Sequence, residues 1–349
     1  MDTLTGLLDG PKARGAFLLR SILSPPWSLR IEDGAPLAVV TPIRGDAWIL
    51  PDGGTPVRLS PGDVAVLRGP APYTVADTPD TPVRVVIGPG QICSRDGVDV
   101  AASMSLGLRT WGEVRPGDES SAVLLSGTYQ AEHEIGRRLL AHLPALLVRP
   151  AGRGAATEDT LVHLLAAEMS RDEPGQELVL DRLLDLLVVG VLRSWLAAPD
   201  SSAPAWYRAQ HDRVVGPALR LLHDDPARAW TVAALAAEVG ISRAGLARRF
   251  TALVGEPPMA YLAAWRLALA ADLFRDPEHT VASVARRVGY GNAFALSTAF
   301  KRVRGITPQE HRRLAGGAGR RLGEAIADPG SAGGTDEPVT ADGRTGTPW

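Results

Sequence analysis

Two segments in the last third of the chain repeat one pattern. Residues 231–261 read TVAALAAEVGISRAGLARRFTALVGEPPMAY, and residues 280–311 read TVASVARRVGYGNAFALSTAFKRVRGITPQEH. Each copy opens with Thr-Val-Ala and places an alanine four residues before a glycine, then a phenylalanine, a glycine five residues later and a proline eight residues later. The matched sets are Ala236/Gly240/Phe250/Gly255/Pro258 and Ala285/Gly289/Phe300/Gly305/Pro308. Such a repeat predicts two copies of one helical unit.

The repeated unit has the chemistry of a helix-turn-helix. Two short helices that cross steeply need a small residue where they touch, and Ala236 and Ala285 supply it. The turn needs a residue that tolerates positive φ, which glycine does without steric cost. The expected N-caps of the four helices are Thr231, Ser242, Thr280 and Asn292. The sequence therefore predicts two helix-turn-helix motifs, each with a second helix that enters a DNA major groove.

Residues 210–314 resemble the DNA-binding domain of the AraC/XylS family of bacterial transcription regulators. The residues that carry the resemblance are Ala236, Gly240, Ser242, Leu246, Arg248, Phe250, Gly255, Pro258, Tyr261, Leu262 and Arg266 in the first half, and Ala285, Gly289, Tyr290, Phe300, Lys301, Gly305 and Pro308 in the second. The resemblance implies a seven-helix domain in which one long helix, here expected from about Pro258 to Leu273, joins the two motifs.

The charge of the chain is distributed unevenly. The formal net charge is −2, yet residues 206–314 contain 16 Lys/Arg and 9 Asp/Glu, a net charge of +7. A basic module on an acidic chain is suited to a phosphate backbone, although a solvated arginine-rich surface would look the same. Together with the repeat, it predicts double-stranded promoter DNA as the partner; RNA polymerase is a further candidate.

The DNA contacts are expected on the two second helices, at about 242–253 and 293–303. The predicted DNA-binding residues are Ser242, Arg243, Ala244, Ala247, Arg248 and Arg249 in the first, and Ala293, Phe294, Ser297, Thr298, Lys301 and Arg302 in the second. The resemblance implies that Arg248 contacts a base. The family usually has an arginine at position 298 as well, so the threonine here predicts a less stringent reading of the second half-site.

Short β-type runs separated by turn signals fill residues 15–130 and predict a barrel or jelly roll. The segment LSPGDVAVLRG at 59–69, with Pro26-Trp27 and Trp48, resembles the cupin-type sensor domain of one branch of the same family. We expect Trp27, Trp48 and Tyr73 either to line a pocket for a candidate small-molecule effector or to form the core.

The barrel lacks the residues of a metal enzyme. Metal-binding cupins use histidines on facing strands, but no histidine precedes His133, and the expected positions hold Ala38 or Val39 and Tyr73. We therefore expect no metal, no cofactor, no catalytic residues and no enzyme activity. Two alternatives stay open: a cupin enzyme with an accessory DNA-binding domain, and a DNA-repair alkyl acceptor, whose zinc-activated form the single Cys93 excludes.

From about residue 131 the pattern becomes helical, including Leu146-Leu147-Val148, with amphipathic helices at about 158–171 and 177–197. The second helix has a wide apolar face that could pack on its own barrel, on the neighbouring helix or on a second subunit, and we favour a homodimer. The expected class is an α+β multidomain protein: a cupin-like barrel at 15–130, a helical linker and dimerisation region at 131–205, a double helix-turn-helix domain at 206–314 and a disordered tail at 315–349. No secretory signal or membrane span is evident, which predicts a cytoplasmic protein.

Overall fold

The computed structural model describes residues 17–107, 109–114, 119–129, 143–152, 156–171, 173–198 and 205–314. The predicted tail, the middle of the second linker at 199–204 and the expected helix from His133 to residue 142 lie outside these ranges. The strands are β1 (Phe17–Leu23), β2 (Ser28–Ile31), β3 (Leu37–Arg44), β4 (Ala47–Pro51), β5 (Val57–Leu59), β6 (Val64–Arg68), β7 (Tyr73–Ala76), β8 (Val85–Ile87), β9 (Cys93–Arg95), β10 (Val98–Asp99), β11 (Ser105–Gly107), β12 (Thr110–Glu113), β13 (Ala122–Tyr129) and β14 (Leu146–Arg149).

The helices follow the strands in the chain. They are α1 (Ala156–Glu168), α2 (Gln176–Ala197), α3 (Ala205–Ala209), α4 (Val215–Asp224), α5 (Val232–Glu238), α6 (Arg243–Val254), α7 (Pro258–Leu273), α8 (Val281–Arg287) and α9 (Ala293–Arg304). A further helical segment covers 308–314. This order of a β-rich half followed by an α-helical half confirms the predicted α+β class.

The strands form two seven-stranded sheets. The first has the order β11-β12-β1-β13-β3-β6-β14, and the second has the order β10-β9-β8-β2-β7-β4-β5. Pairing is antiparallel except between β1 and β12 and between β2 and β8. Two mostly antiparallel sheets packed face to face are the cupin-like arrangement that the turn spacing predicted.

Strand β13 shows how the sequence divides the two faces of the first sheet. Because side chains alternate along a strand, Leu124 packs in the core between the sheets, whereas Leu125 and Tyr129 pack in a second core on the outer face. Ser126 and Thr128 share the inward side with Leu124 and line a cavity there. One strand therefore contributes to two cores and to the cavity.

Helix α2 covers the outer face of the first sheet. Its Leu180, Leu184 and Leu187 are at most 2% exposed and belong to the same apolar cluster as Leu125. A Cβ added at Gly127 would lie 2.7 Å from Leu184 Cδ2, so the glycine lets the helix approach the sheet closely. The buried part of the wide apolar face therefore packs on the chain's own barrel and on the neighbouring helix α1.

The prediction that residues 146–148 continue a helical region was wrong. These residues lie in β14, which pairs antiparallel with β6 with Leu146 opposite Leu67. The run lies between Pro144 and Pro150, which leaves too few residues for a helix, and an apolar run this short does not by itself distinguish helix from strand. The strand adds an edge to the first sheet beyond the predicted end of the barrel at residue 130.

Two small cores hold the DNA-binding half together, and α7 belongs to both. The first core gathers the apolar residues of α4, α5 and α6, and the second gathers those of α8 and α9. Tyr261 and Leu262, near the start of α7, lie in the first core, while Leu267 and Ala271 lie in the second. The observed helix from Pro258 to Leu273 has the bounds that the sequence predicted.

Candidate nucleic-acid interface and regulatory cavity

The first helix-turn-helix comprises α5 and α6. Thr231 Oγ1 accepts a hydrogen bond from the amide of Ala234 at 3.0 Å and caps α5. Ser242 Oγ accepts one from the amide of Gly245 at 3.1 Å and caps α6. Between the helices Gly240 adopts φ +73°. Each of these local roles was predicted from the sequence and is confirmed.

The second helix-turn-helix, α8 and α9, repeats this geometry. Thr280 Oγ1 accepts from the amide of Ser283 at 3.1 Å, and Asn292 Oδ1 accepts from the amide of Ala295 at 2.8 Å. Gly289 adopts φ +81° in the turn. The two motifs are therefore two instances of one local structure, each with a capped second helix that starts at the surface.

The two recognition helices bury the same positions and expose different chemistry. Leu246 and Phe250 of α6, like Leu296 and Phe300 of α9, are fully buried and fix the orientation of each helix. On the opposite side α6 presents Ala244 and Arg248, while the equivalent positions of α9 present Phe294 and Thr298, and all four are exposed. Phe294 is 81% exposed. Where the first helix has a small residue beside a long cation, the second has a large apolar ring beside a short hydroxyl.

Arg248 and Arg249 are neighbours in sequence with different partners. Within the described ranges Arg248 is exposed and makes no hydrogen bond or ion pair, so its guanidinium is available. Arg249 is tied to Asp212: Nε donates to Oδ1 at 3.0 Å, and Nη2 donates to Oδ2 at 2.6 Å. This ion pair holds Arg249 against the domain, because α6 turns it towards the loop that precedes α4, and its role at DNA stays a prediction.

The other predicted DNA-binding residues lie on or beside the same faces. Ser242, Arg243, Lys301 and Arg302 are exposed, whereas Ala247, Ala293 and Ser297 are half-buried. Lys301, Arg302 and Arg304 form the basic last turn of α9, where positive charge is favoured by the helix dipole. The second helix therefore carries its positive charge in the last turn, whereas its exposed positions 294 and 298 lack a cation.

The two motifs are locked to each other at Gly289. Arg266 of α7 donates to the carbonyl oxygens of Pro226 and Arg228, both at 2.7 Å. Burial lowers the pKa of Arg266. A Cβ at Gly289 would lie 2.6 Å from the carbonyl oxygen of Ala227 and 2.8 Å from Nη2 of Arg266. The turn of the second motif thus packs directly on the segment that leads into the first.

The regulatory half contains two neighbouring cavities. The inner cavity lies between the sheets and is lined by Leu19, Ser21, Leu29, Ile31, Asp33, Val40, Tyr73, Val75, Ile87, Gln91, Leu124, Ser126 and Thr128. The outer cavity is lined in part by the loops at 51–52 and 69–72. Ile31, Asp33 and Tyr73 line both, so they form the partition between the two spaces.

The three aromatic residues predicted for the effector pocket have different positions. Tyr73 lines both cavities, and burial raises its pKa, with a further contribution from Asp33. Trp27 is 3% exposed in the core between the sheets and is not among the residues that line these two cavities. Trp48 is half-buried, and the alternation along β4 places it on the side opposite the buried Ala47 and Ile49. Only Tyr73 of the three faces these cavities.

Family models agree with both halves of the chain. A cupin model matches residues 2–197, and a helix-turn-helix domain model matches residues 235–314. A putative AraC-like transcription regulator of Streptomyces lividans is 33% identical over 90% of this chain and 98% of its own length. The chain belongs to the AraC-like family of transcription regulators. A second such regulator, from Streptomyces antibioticus, is 31% identical over 90% of this chain and 99% of its own length.

Among solved structures, the DNA-binding domain of AdpA in complex with a target DNA resembles the helical half of this AraC-like regulator. It is 30% identical, covers 32% of this chain and 96% of its own, and has a TM-score of 0.29. ToxT of Vibrio cholerae is 12% identical over 86% of this chain and 97% of its own, with a TM-score of 0.32.

Within the described residues no three His, Cys, Asp or Glu side chains are grouped as a metal would need, and no helix there could span a bilayer. Of the two candidate metal positions, Ala38 faces the core between the sheets, and Val39 faces α2. Burial raises the pKa of the Cys93 thiol to about 11, with a further contribution from Asp99, which disfavours the reactive thiolate.

Sequence reasoning missed Asp33, Thr128 and Asp212. Thr128 could have been found, because Ser126 and Thr128 occupy alternate positions in an otherwise apolar strand and so share one inward face. Asp33 and Asp212 gave no such signal, since each lies outside the regular elements and finds its role through residues that are distant in sequence.

Proposed function

We propose that this AraC-like regulator recognises promoter DNA mainly through Arg248. The observation that carries the proposal is the contrast between two neighbouring arginines: Arg249 is tied to Asp212, whereas Arg248 is exposed without a partner in the described ranges. A guanidinium fork suits the O6 and N7 atoms of guanine. Ser242, Arg243, Ala244 and Ala247 then lie along the groove walls, and in this proposal Arg249 keeps its ion pair with Asp212 instead of contacting DNA.

The second motif reads its groove by a different principle. Phe294 presents an apolar ring that suits the methyl group of thymine, while Ser297 and Thr298 offer hydroxyls that accept several bases. Lys301 and Arg302 bind phosphates, and Ala293 allows the helix to approach the backbone. We therefore infer a stringent half-site with guanine and a permissive half-site that prefers thymine, about one helical turn apart.

We propose that the cupin-like half senses a small molecule and does no chemistry. Trp206 of α3 supports a route for the signal, because it packs both against the apolar cluster of α1 and α2 and against the core of the first motif. RNA polymerase is the proposed protein partner at the promoter, and the proposed site of action is the cytoplasm. The division at 131–205 and 206–314 remains part of the proposal, with β14 assigned to the barrel.

We propose a homodimer through the outer side of α2. Its inner side is covered by the barrel, but Val179 and Leu186 remain 43% and 55% exposed, and Leu164 of α1 is 48% exposed. Pairing of two chains strengthens DNA binding, because once one DNA-binding module is bound the second binds at a high effective concentration. Leu186→Arg should shift the sedimentation of the full chain towards monomer, whereas Val98→Arg, at a 66% exposed position of β10, should leave it unchanged.

Salt dependence of promoter binding tests the DNA-binding proposal. With about six phosphate contacts, affinity should fall roughly a thousandfold between about 50 and 200 mM salt. The net charge of +7 over residues 206–314 motivates this expectation. Binding that does not respond to salt would contradict it.

Elemental analysis of the same preparation distinguishes a regulator from a cupin enzyme. About one Fe, Mn, Ni or Zn per chain would support the alternative of a cupin enzyme.

A further inference from the structure

The inner cavity of the barrel has an unusual balance of polar groups. Its volume is about 30 Å³, and the volume of the outer cavity is about 60 Å³. The walls of the inner cavity combine apolar side chains with a strip of hydroxyls on the first sheet, Ser21, Ser126 and Thr128. Among the described residues that line it, Asp33 is charged, and none is Lys, Arg or His.

Asp33 is held in place and keeps capacity to bind more. Its Oδ1 accepts from the amide of Ala35, and its Oδ2 accepts from Nε2 of Gln91, both at 3.0 Å. A carboxylate offers about four acceptor positions, so these two bonds leave it unsaturated. Gln91 has φ +63°, a backbone conformation that residues other than glycine rarely adopt. Such outliers persist where the surroundings hold them in place, often at ligand sites.

An unpartnered polar atom adds an independent indication. Thr128 is 7% exposed, and within the described residues its Oγ1 is buried without a hydrogen-bond partner. Thr128 shares the inward side of β13 with Ser126, and both line the cavity. A buried hydroxyl that finds no partner costs free energy, which a ligand would recover by bonding to it.

We propose that the inner cavity takes an ammonium ion the size of methylamine, with its charged nitrogen on Asp33 and its single carbon against the apolar walls. The proposal rests on the proposed sensor role and names the ligand class for it. An ammonium has three donors, which match Asp33, the Oε1 of Gln91 and a hydroxyl of the strip. A carboxylate ligand would face Asp33 with no cation to compensate its charge. A cavity of about 30 Å³ holds about two water-sized bodies, so the ligand is no larger than methylamine.

A series of ligands with one carbon skeleton tests the charge preference. Methylamine, methanol and formate each contain one carbon and differ in the polar group, and each is titrated into the full chain while the Tm is followed. The amine should bind about tenfold more tightly than the alcohol, because a hydrogen bond to a charged partner is stronger. Formate should give no shift. Equal binding of amine and alcohol, binding of formate, or no binding by any of them would overturn the proposal.

Three variants keep the result tied to the cavity. Asp33→Asn should remove the advantage of the amine over the alcohol. Asp46→Asn, which breaks the ion pair between the residue before β4 and Arg58 of β5, should keep this advantage. Ser126→Leu should fill the cavity and abolish binding of both ligands, and unchanged binding would overturn the assignment. Promoter binding by the same preparations separates the two proposals: its persistence without any ligand shift rejects the amine site and leaves the DNA-binding function standing.

Discussion

Asp212 holds Arg249 with both carboxylate oxygens while it caps the start of α4. Its Oδ1 also accepts from the amides of Val214 and Val215, both at 2.9 Å. One carboxylate thus joins the loop before α4 to the recognition helix of the first motif. The ion pair turns Arg249 towards the domain, whereas Arg248 on the same helix is exposed.

Replacing each arginine by alanine should therefore affect a different property: DNA binding for Arg248 and thermal stability for Arg249. Arg248→Ala should cost about 1–3 kcal/mol of DNA-binding free energy and relax the preference for guanine at one position. Arg249→Ala should lower the Tm of the protein and leave the selected sequence unchanged. Thermal unfolding and a randomised-site selection distinguish the two. A large loss of base preference in Arg249→Ala would contradict this division of roles.

The same pair predicts how stability depends on pH. Hydrogen bonds from Arg249, and less strongly those from the amides of Val215 and Val214, lower the pKa of Asp212 to about 2 from its usual 3.8. A depressed carboxyl pKa contributes stability that is full above about pH 4 and is lost as the pH falls towards 2. The difference in unfolding free energy between the parent and Asp212→Asn should therefore narrow over that window. A constant difference between pH 5 and 2 would show that ionisation of Asp212 contributes nothing.

Thr298 should be a weaker determinant of specificity than Arg248. Thr298→Ala should cost less binding free energy than Arg248→Ala, because single hydroxyl contacts are weaker and more permissive than a bidentate pair. Thr298→Arg should tighten binding and add a base preference in the second groove. A selection on random sites with the parent and these variants measures both effects. Greater damage from Thr298→Ala than from Arg248→Ala would mean that the second helix is the dominant reader.

Phe294 should carry the thymine preference of the second half-site. Phe294→Ala should reduce affinity for a site with thymine opposite the ring, and replacing that thymine by uracil, which lacks the methyl group, should reproduce the loss in the parent protein. Val303→Ala, at a 60% exposed position of the same helix, is the matched control and should bind as the parent does. Equal affinity of the parent for thymine and uracil sites would remove Phe294 from the readers.

The two turn glycines offer a matched pair for the packing between motifs. Gly240→Ala and Gly289→Ala both place a Cβ at positive φ, which costs about 1–2 kcal/mol. At Gly240 the Cβ would meet nothing within 4 Å, whereas at Gly289 it would meet Ala227 and Arg266. Gly289→Ala should therefore destabilise the protein more and weaken binding to a two-half-site promoter. Denaturant unfolding of both variants gives the comparison, and equal loss would refute a steric lock at Gly289.

The sequence by itself determined the local units of this regulator. Caps such as Thr231 and Asn292, the turn glycines and the alternation along strands such as β13 act over a few residues, so their roles follow from residue type and spacing. The bounds of the long helix, from Pro258 to Leu273, were expected instead from the resemblance to the AraC/XylS family. The prediction of a helix at 146–148 was wrong because three apolar residues fit a helix or a strand equally well, and only the pairing with β6 decides between them.

Only the tertiary structure decided which side chains are free to act. Arg248 and Arg249 are identical residues on one helix, and the choice between them was made by Asp212, 37 residues from Arg249. Likewise Asp33 meets Gln91, 58 residues later in the chain, at the wall of the inner cavity. Such pairings depend on how distant segments pack. Periodicity and local propensity describe only neighbouring residues, so they do not predict these contacts.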